Sequence, residues 1–175
     1  IAGELVSKGF TELYEWQDWE LSAPGSYFVR RNASSIIAFS IPGADFAGFM
    51  IMAAHSDAPS FRVKDNASVK AAGLYTQLNV ERYGGMIFSS WMDRPLSLAG
   101  RIAIRSEKGI ASKLVNIDRD LLMIPNVAIH MDRSVNDGKS FNPNVDMLPL
   151  ISSASSELSL DGIIAEAAGV KAEDI

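Results

Sequence analysis

A series of short β-rich segments in the second half of the sequence constrains the fold more than any other feature. The segments are Leu74–Val80, Met86–Trp91, Arg101–Arg105 and Val127–His130. Clusters of Gly, Pro or Asp separate them, with turns predicted at Gly84-Gly85, Asp93-Arg94-Pro95 and Asn136-Asp137-Gly138. Short strands at such spacings are typical of an antiparallel sheet or a small barrel. We therefore predict a mainly β region from residue 65 to residue 175.

Residues 1–64 carry a different pattern, which predicts an α/β segment. The clearest part is the apolar run Gly48–Ala54, GFMIMAA, which is followed by a loop. A run of this length indicates a strand buried on both faces, as in a parallel sheet. Local signals predict a helix end over Ile1–Lys8, closed by Gly9, and a hairpin of Tyr27–Arg30 and Ser35–Ser40 joined at Asn32-Ala33. Near the other end of the chain, they predict a helix over Asp161–Ala168 that is closed by Gly169.

Composition excludes several classes of function. The net charge of −5 disfavours nucleic acid or an anionic membrane as a partner, because both require a basic surface. The absence of cysteine excludes disulfides, thiol nucleophiles and cysteine-ligated metals. Only two histidines are present, His55 and His130, so any histidine-dependent catalytic or metal site must use one of them. The sequence begins without Met or a signal pattern, and we expect it to come from a longer protein whose targeting segments lie outside these residues or are absent. We expect that protein to be cytoplasmic, although the N-terminus itself adds little to this expectation.

His55 directly follows the apolar run, and Asp57 comes two residues later. Residues i and i+2 at the end of a strand point to the same side. His55 could therefore bind a metal through one ring nitrogen while Asp57 accepts the N–H of the other. A buried histidine bonded to a nearby carboxylate is also ordinary structure, and the residues alone favour that interpretation over a metal ligand.

His130 ends the predicted strand Val127–His130. A single histidine carries no motif, so the residues alone favour a half-buried strand histidine with satisfied hydrogen bonds. The acid–base neighbours Asp93-Arg94 and Asp132-Arg133 are interpreted as structural. The apolar residues between Met86 and Met92 predict a surface that a twofold-related copy of the chain would cover.

Three blocks of sequence together resemble a known family. They are AAHSDAPSFRVK, which contains His55, YGGMIFSSWMDRPLSLAGRI over Tyr83–Ile102, and IPNVAIHMDRSVNDG over Ile124–Gly138. In this content and order they resemble the M18 metallo-aminopeptidases, the aspartyl aminopeptidase family. Ser56 and Ala58 stand where the family pattern has Thr and Ser.

The resemblance implies a di-zinc exopeptidase that removes N-terminal Asp or Glu from peptides. It implies an α/β catalytic domain, begun by residues 1–64, with an inserted β-rich dimerisation domain over residues 65–175. It also implies a homo-oligomer in which dimers build a larger assembly. His55 would be a zinc ligand, and Asp57 the catalytic-site carboxylate that orients it. His130 would project toward the active site of a neighbouring subunit and bind substrate there.

The resemblance also implies groups that these 175 residues lack. Such enzymes use several carboxylate ligands, a further histidine and a Glu–Glu pair, but the sequence has no Glu-Glu pair and no histidine after His130. We expect those groups to follow Ile175 in the parent protein and the present residues alone to be inactive. The alternative is a non-catalytic module of the same fold that serves oligomerisation or peptide binding.

Overall fold

The computed structural model describes residues 1–175, which divide into two compact units, Ile1–Asp57 and Ala58–Ile175. The elements are mainly strands with two α-helices, which confirms the mixed α and β class. Their bounds are α1 Ala2–Ser7, β1 Thr11–Leu13, β2 Gly25–Arg31, β3 Ser35–Ile41, β4 Ser60–Ala71, β5 Tyr75–Tyr83, β6 Leu96–Ser106, β7 Gly109–Leu122, β8 Leu150–Ser153 and α2 Leu160–Ala168, with 3-10 helices at Phe88–Trp91 and Ala172–Asp174. The predicted division between residues 64 and 65 falls within β4. Neither α-helix has the length and apolar character that crossing a bilayer requires.

The first unit contains α1 and a three-stranded sheet in the order β1-β2-β3. Strand β1 pairs parallel to β2, and β2 pairs antiparallel to β3. The hairpin turns at Asn32 and Ala33, whose φ angles are +52° and +53°. Positive φ at both central residues matches the twist of the flanking strands. The predicted hairpin is confirmed, and Phe28 on β2 is fully buried.

The second unit contains the antiparallel sheet β4-β5-β8 and the two-stranded hairpin β6-β7. Along β5, Thr76, Leu78 and Val80 are buried while the residues between them are not, as the two-residue period of a strand requires. The hairpin packs against α2 through a cluster that includes Val115, Ile117 and Ile163.

Helix α2 forms as predicted, with a signal at each end. The Ser159 hydroxyl accepts a hydrogen bond from the Gly162 N–H at 3.0 Å, which satisfies one of the unpaired donors of the first turn. Gly169 ends the helix in the left-handed conformation, with φ +62°. Between these ends, Leu160, Ile163, Ala165 and Ala168 are buried.

The prediction of a buried strand over Gly48–Ala54 is wrong. The residues between β3 and β4 form no helix or strand, and Phe49–Met52 are almost fully exposed. A parallel strand is stabilised by neighbours that pair with its edges and cover its faces. No strand of this chain pairs with the run, so its apolar character alone does not order it as a strand.

Two further strand predictions are wrong for local reasons. In Met86–Trp91 a 3-10 helix forms instead, and Ser90 donates its hydroxyl to the Ile87 carbonyl at 2.7 Å, a local bond that competes with a strand ladder. In Val127–His130 the chain forms a loop and a turn. The Val127 N–H donates to the side chain of Asn126 at 2.9 Å, so it is not available to a neighbouring strand.

Candidate functional site

His55 and Asp57 contact each other, as the two-residue spacing predicted. The His55 Nδ1 atom lies 2.9 Å from the Asp57 Oδ1 atom and 2.9 Å from the Asp57 carbonyl oxygen. A carbonyl and a carboxylate oxygen only accept hydrogen bonds, so Nδ1 carries the proton. In the neutral ring the lone pair is therefore on Nε2. The histidine side chain is 83% exposed and the aspartate side chain 51% exposed.

This arrangement suits one ligand of a metal site. A histidine that binds zinc usually donates its other N–H to a carboxylate or carbonyl, which fixes the tautomer and orientation of the ring. Zinc sites use at least three protein ligands. No group of three or more His, Cys, Asp or Glu side chains in the structure could hold a metal ion. The His55–Asp57 pair therefore fits a single metal ligand with its orienting carboxylate, and the residues of this chain do not make a complete zinc site.

The third predicted site residue, His130, belongs to the second unit. It lies in an exposed turn in which the Met131 N–H donates to the Ala128 carbonyl at 2.8 Å. The ordinary interpretation of a half-buried strand histidine is therefore wrong. An exposed imidazole on a turn is available to a substrate or to another molecule.

The loop before His130 is joined to the turn at Asp93. The Asp93 carboxylate accepts a hydrogen bond from the Asn126 N–H at 2.8 Å, and the Asp93 N–H donates to the Ile124 carbonyl at 2.9 Å. The φ angle of Asp93 is +55°, in the left-handed region, which short polar side chains tolerate better than other non-glycine residues. Asp93 thus has the structural role that the sequence predicted.

The segment after His130 is held by Asp132 and Lys139. The Asp132 Oδ2 atom lies 2.6 Å from the Lys139 Nζ atom, and Oδ1 accepts from the Ser134 hydroxyl at 2.8 Å. The hydrogen bond from Lys139 is the main cause of a lowered pKa of Asp132, and the Asp132 bond in turn raises the pKa of Lys139. The sequence predicted a structural Asp132 but not its partner Lys139. The signal for it was the Asn136-Asp137-Gly138 turn, which reverses the chain between the two residues.

The apolar surface predicted between Met86 and Met92 is partly covered within its own unit. Phe88 and Trp91 pack on Phe61, with ring centroids 6.3 and 5.2 Å apart, and Ile87 is 74% exposed. An interface with a second copy at this surface stays a prediction.

Comparisons with known proteins match nearly the whole chain. The family model described as Aminopeptidase I zinc metalloprotease (M18) matches residues 1–174. A probable M18 family aminopeptidase 2 of Clostridium acetobutylicum is 47% identical over 156 residues, which cover 86% of this chain and 36% of that protein. Aspartyl aminopeptidase 1 of Schizosaccharomyces pombe is 48% identical over 159 residues, covering 86% and 33%.

A solved structure confirms the fold. The structure of an Ape4 and Nbr1 complex contains a chain that matches with a TM-score of 0.86 and 40% identity, covering 99% of this chain and 38% of that chain. The present chain thus spans about a third of the length of the curated relatives it matches. The resemblance inferred from the three sequence blocks is confirmed.

Proposed function

Because the chain belongs to the M18 family of aminopeptidases, we propose that it forms part of a zinc-dependent enzyme that removes N-terminal Asp or Glu from peptides. The observation that carries the proposal is the His55–Asp57 pair, whose geometry leaves Nε2 of the histidine ready to bind a metal. The specificity for acidic residues is supported by the name aspartyl aminopeptidase, which relatives that are 43–48% identical carry.

In this proposal each residue has a separate role. His55 holds one zinc ion through Nε2, and Asp57 keeps the proton on Nδ1. Zinc, when bound, supplies Lewis-acid polarisation of the peptide carbonyl and an activated water. The remaining ligands, the general base and a second zinc belong to the two thirds of the relatives' length that this chain does not match. Residues 1–64 then begin the catalytic domain.

The proposal assigns residues 65–175 to dimerisation and His130 to substrate binding in a neighbouring subunit. The exposure of His130 and its place in the second unit support this role. The full-length protein would be a homo-oligomer in which dimers build a larger assembly, and its cytoplasmic location stays a prediction.

A mixing experiment on the full-length protein tests these roles. His55→Ala and His130→Ala chains are each expected to be nearly inactive toward an aspartyl anilide at a substrate concentration well below KM, His55→Ala through the lost zinc ligand and His130→Ala through a raised KM. If His130 acts across the interface, mixed dimers contain one site with both histidines and activity reappears. Activity that stays at the sum of the two variants, in samples where mixed dimers demonstrably form, would contradict the cross-subunit role.

The second candidate function is a non-catalytic oligomerisation or peptide-binding module. It is favoured by the absence of a three-ligand cluster in this chain. An assay of the full-length protein with added zinc and an aspartyl anilide separates the two candidates. An aminopeptidase releases aspartate from the substrate, and a non-catalytic module does not. The 175-residue chain with zinc serves as the matched sample and is expected to be inactive under either candidate.

A further inference from the structure

The His130 loop, residues 125–131, has no regular secondary structure of its own. Within the loop, one backbone hydrogen bond closes a turn, from the Met131 N–H to the Ala128 carbonyl. An exposed loop of this kind would sample many conformations unless its ends were held, and ordering a side chain on binding costs affinity. The contacts at the two ends of the loop therefore decide how His130 is presented.

At the start of the loop, Asp93 forms hydrogen bonds with Ile124 and Asn126, the residues on either side of Pro125. Its N–H donates to the Ile124 carbonyl, and its carboxylate accepts from the Asn126 N–H. Met92 and Ile124 also form an isolated parallel bridge next to these bonds. The loop thus leaves the end of β7 in a direction that the backbone of residue 93 and its carboxylate determine.

At the end of the loop, Asp132 is fixed by three groups. Lys139 approaches its Oδ2 atom, and the N–H and hydroxyl of Ser134 donate to Oδ1 at 3.2 and 2.8 Å. The side chains of Asp132 and Lys139 are only 17% and 26% exposed, so this pair is better shielded than the other ion pairs of the second unit. The ammonium of Lys139 also lies 5.3 Å from the centroid of the Phe141 ring.

We propose that Asp93 and the Asp132–Lys139 pair are positioning residues that hold the two ends of the His130 loop and thereby present His130 to the substrate. The inference rests on the proposed substrate-binding role of His130. None of the three residues needs to touch the substrate. Their effect is to reduce the number of loop conformations that must be lost when His130 binds.

The first test is amide hydrogen exchange on the 175-residue chain. Removing the acceptor with Asp93→Ala is expected to speed exchange of the Asn126 amide at least about tenfold, because that bond is the amide's only protection. Asp93→Asn keeps a side-chain oxygen and tolerates the left-handed backbone, so it should restore protection. Asp137→Asn is the matched control, since it removes a carboxylate of the same region for which no partner is found. Unchanged exchange in Asp93→Ala would overturn the proposed hold on the loop.

The second test measures kinetics of the full-length protein with an aspartyl substrate. Asp93→Ala, Asp132→Asn and Lys139→Met are each expected to raise KM about fivefold or more with kcat changed less than twofold, as lost substrate binding requires. In a His130→Ala background the same substitutions should add nothing, because the group they position is gone. Three different substitutions keep the test valid if one variant fails to fold.

The outcomes separate this proposal from the proposed function. A His130→Ala enzyme with wild-type KM would refute the role of His130 itself. A raised KM in His130→Ala together with wild-type KM in the three other variants would refute only the positioning. Effects that persist undiminished in the His130→Ala background would also refute it, because they would show a general structural role.

Discussion

Strand β5 alternates apolar and polar residues, whereas the segment Gly48–Ala54 has no polar side chain, and yet the more apolar of the two is the exposed one. Leu78 and Val80 on β5 are 0% and 2% exposed, whereas Met50 and Met52 are 102% and 99% exposed. Strand β5 has β4 on one edge and β8 on the other, and Leu78 packs with Leu122 and Leu160. The apolar segment has no paired strand in this chain, and all of its residues are exposed.

The difference shows that an apolar run is buried only when other segments supply both hydrogen bonds and a covering surface. Backbone groups need partners wherever they leave water. Strand β5 pairs with β4, to which a short turn joins it, and with β8, which begins at Leu150. No strand of this chain pairs with Gly48–Ala54. The backbone groups of that segment are therefore left to hydrogen-bond with water.

The largest expected effect is on the stability of the 175-residue chain. Leu78→Ala should lower the free energy of unfolding by about 2–5 kcal/mol, because it removes a fully buried side chain from a packed cluster. Met50→Ala is the matched substitution in the exposed segment and should change it by less than about 0.5 kcal/mol. Urea denaturation followed by circular dichroism measures both. A Met50→Ala loss as large as that of Leu78→Ala would show that the segment packs in solution.

The sequence predicts well where the determining contacts are local and the residues that make them have a strong conformational preference, as at a turn or a helix end. The Asn32-Ala33 hairpin and the α2 cap at Gly169 depend on residues within a few positions, and both are confirmed. The sequence does not predict strand β7 as a continuous element, because charged residues interrupt its apolar positions. The strand is continuous because it pairs with β6 across the turn that ends at Gly109, and hydrophobic periodicity does not reveal that pairing.

The same rule applies to the candidate site. The contact between His55 and Asp57 follows from a two-residue spacing, although the strand that was expected to present it does not form. The bonds from Asp93 to Asn126 and from Asp132 to Lys139 join residues that turns bring together. The turn at Asn136-Asp137-Gly138 indicates a chain reversal next to Lys139, but no motif identifies which side chains then pair.

The second expected effect is on turnover and concerns the His55–Asp57 pair, which follows the exposed segment Gly48–Ala54. In the full-length protein Asp57→Asn should lower kcat about 10–100-fold, because the carboxylate that fixes the His55 tautomer is lost. In the 175-residue chain the same substitution should leave urea unfolding unchanged, since the pair is exposed. Turnover within twofold of wild type would show that Asp57 does not orient a catalytic ligand. The two results together would assign a functional role, and no stabilising role, to Asp57.

The smallest expected effect is a pH dependence in the second unit. Lys139 lowers the pKa of Asp132, so the stabilisation from their ion pair is fully present above about pH 4, the ordinary carboxyl pKa, and is lost as pH falls through the lowered folded-state pKa. The raised pKa of Lys139 sets the other limit: its contribution is full below about pH 10.4 and is lost as pH rises through the folded-state value.

Urea midpoints of wild type and Asp132→Asn measure this dependence. The difference between them should be constant from about pH 5 to pH 9, where both groups are charged, and should shrink below about pH 4. Asp137→Asn, in which no ion pair is lost, should track wild type across the same range. A difference that persists undiminished into acid would mean that Asp132 stabilises the loop through its shape and hydrogen bonds and not through its charge. In that case Lys139 would contribute to the His130 loop mainly by packing on Phe141.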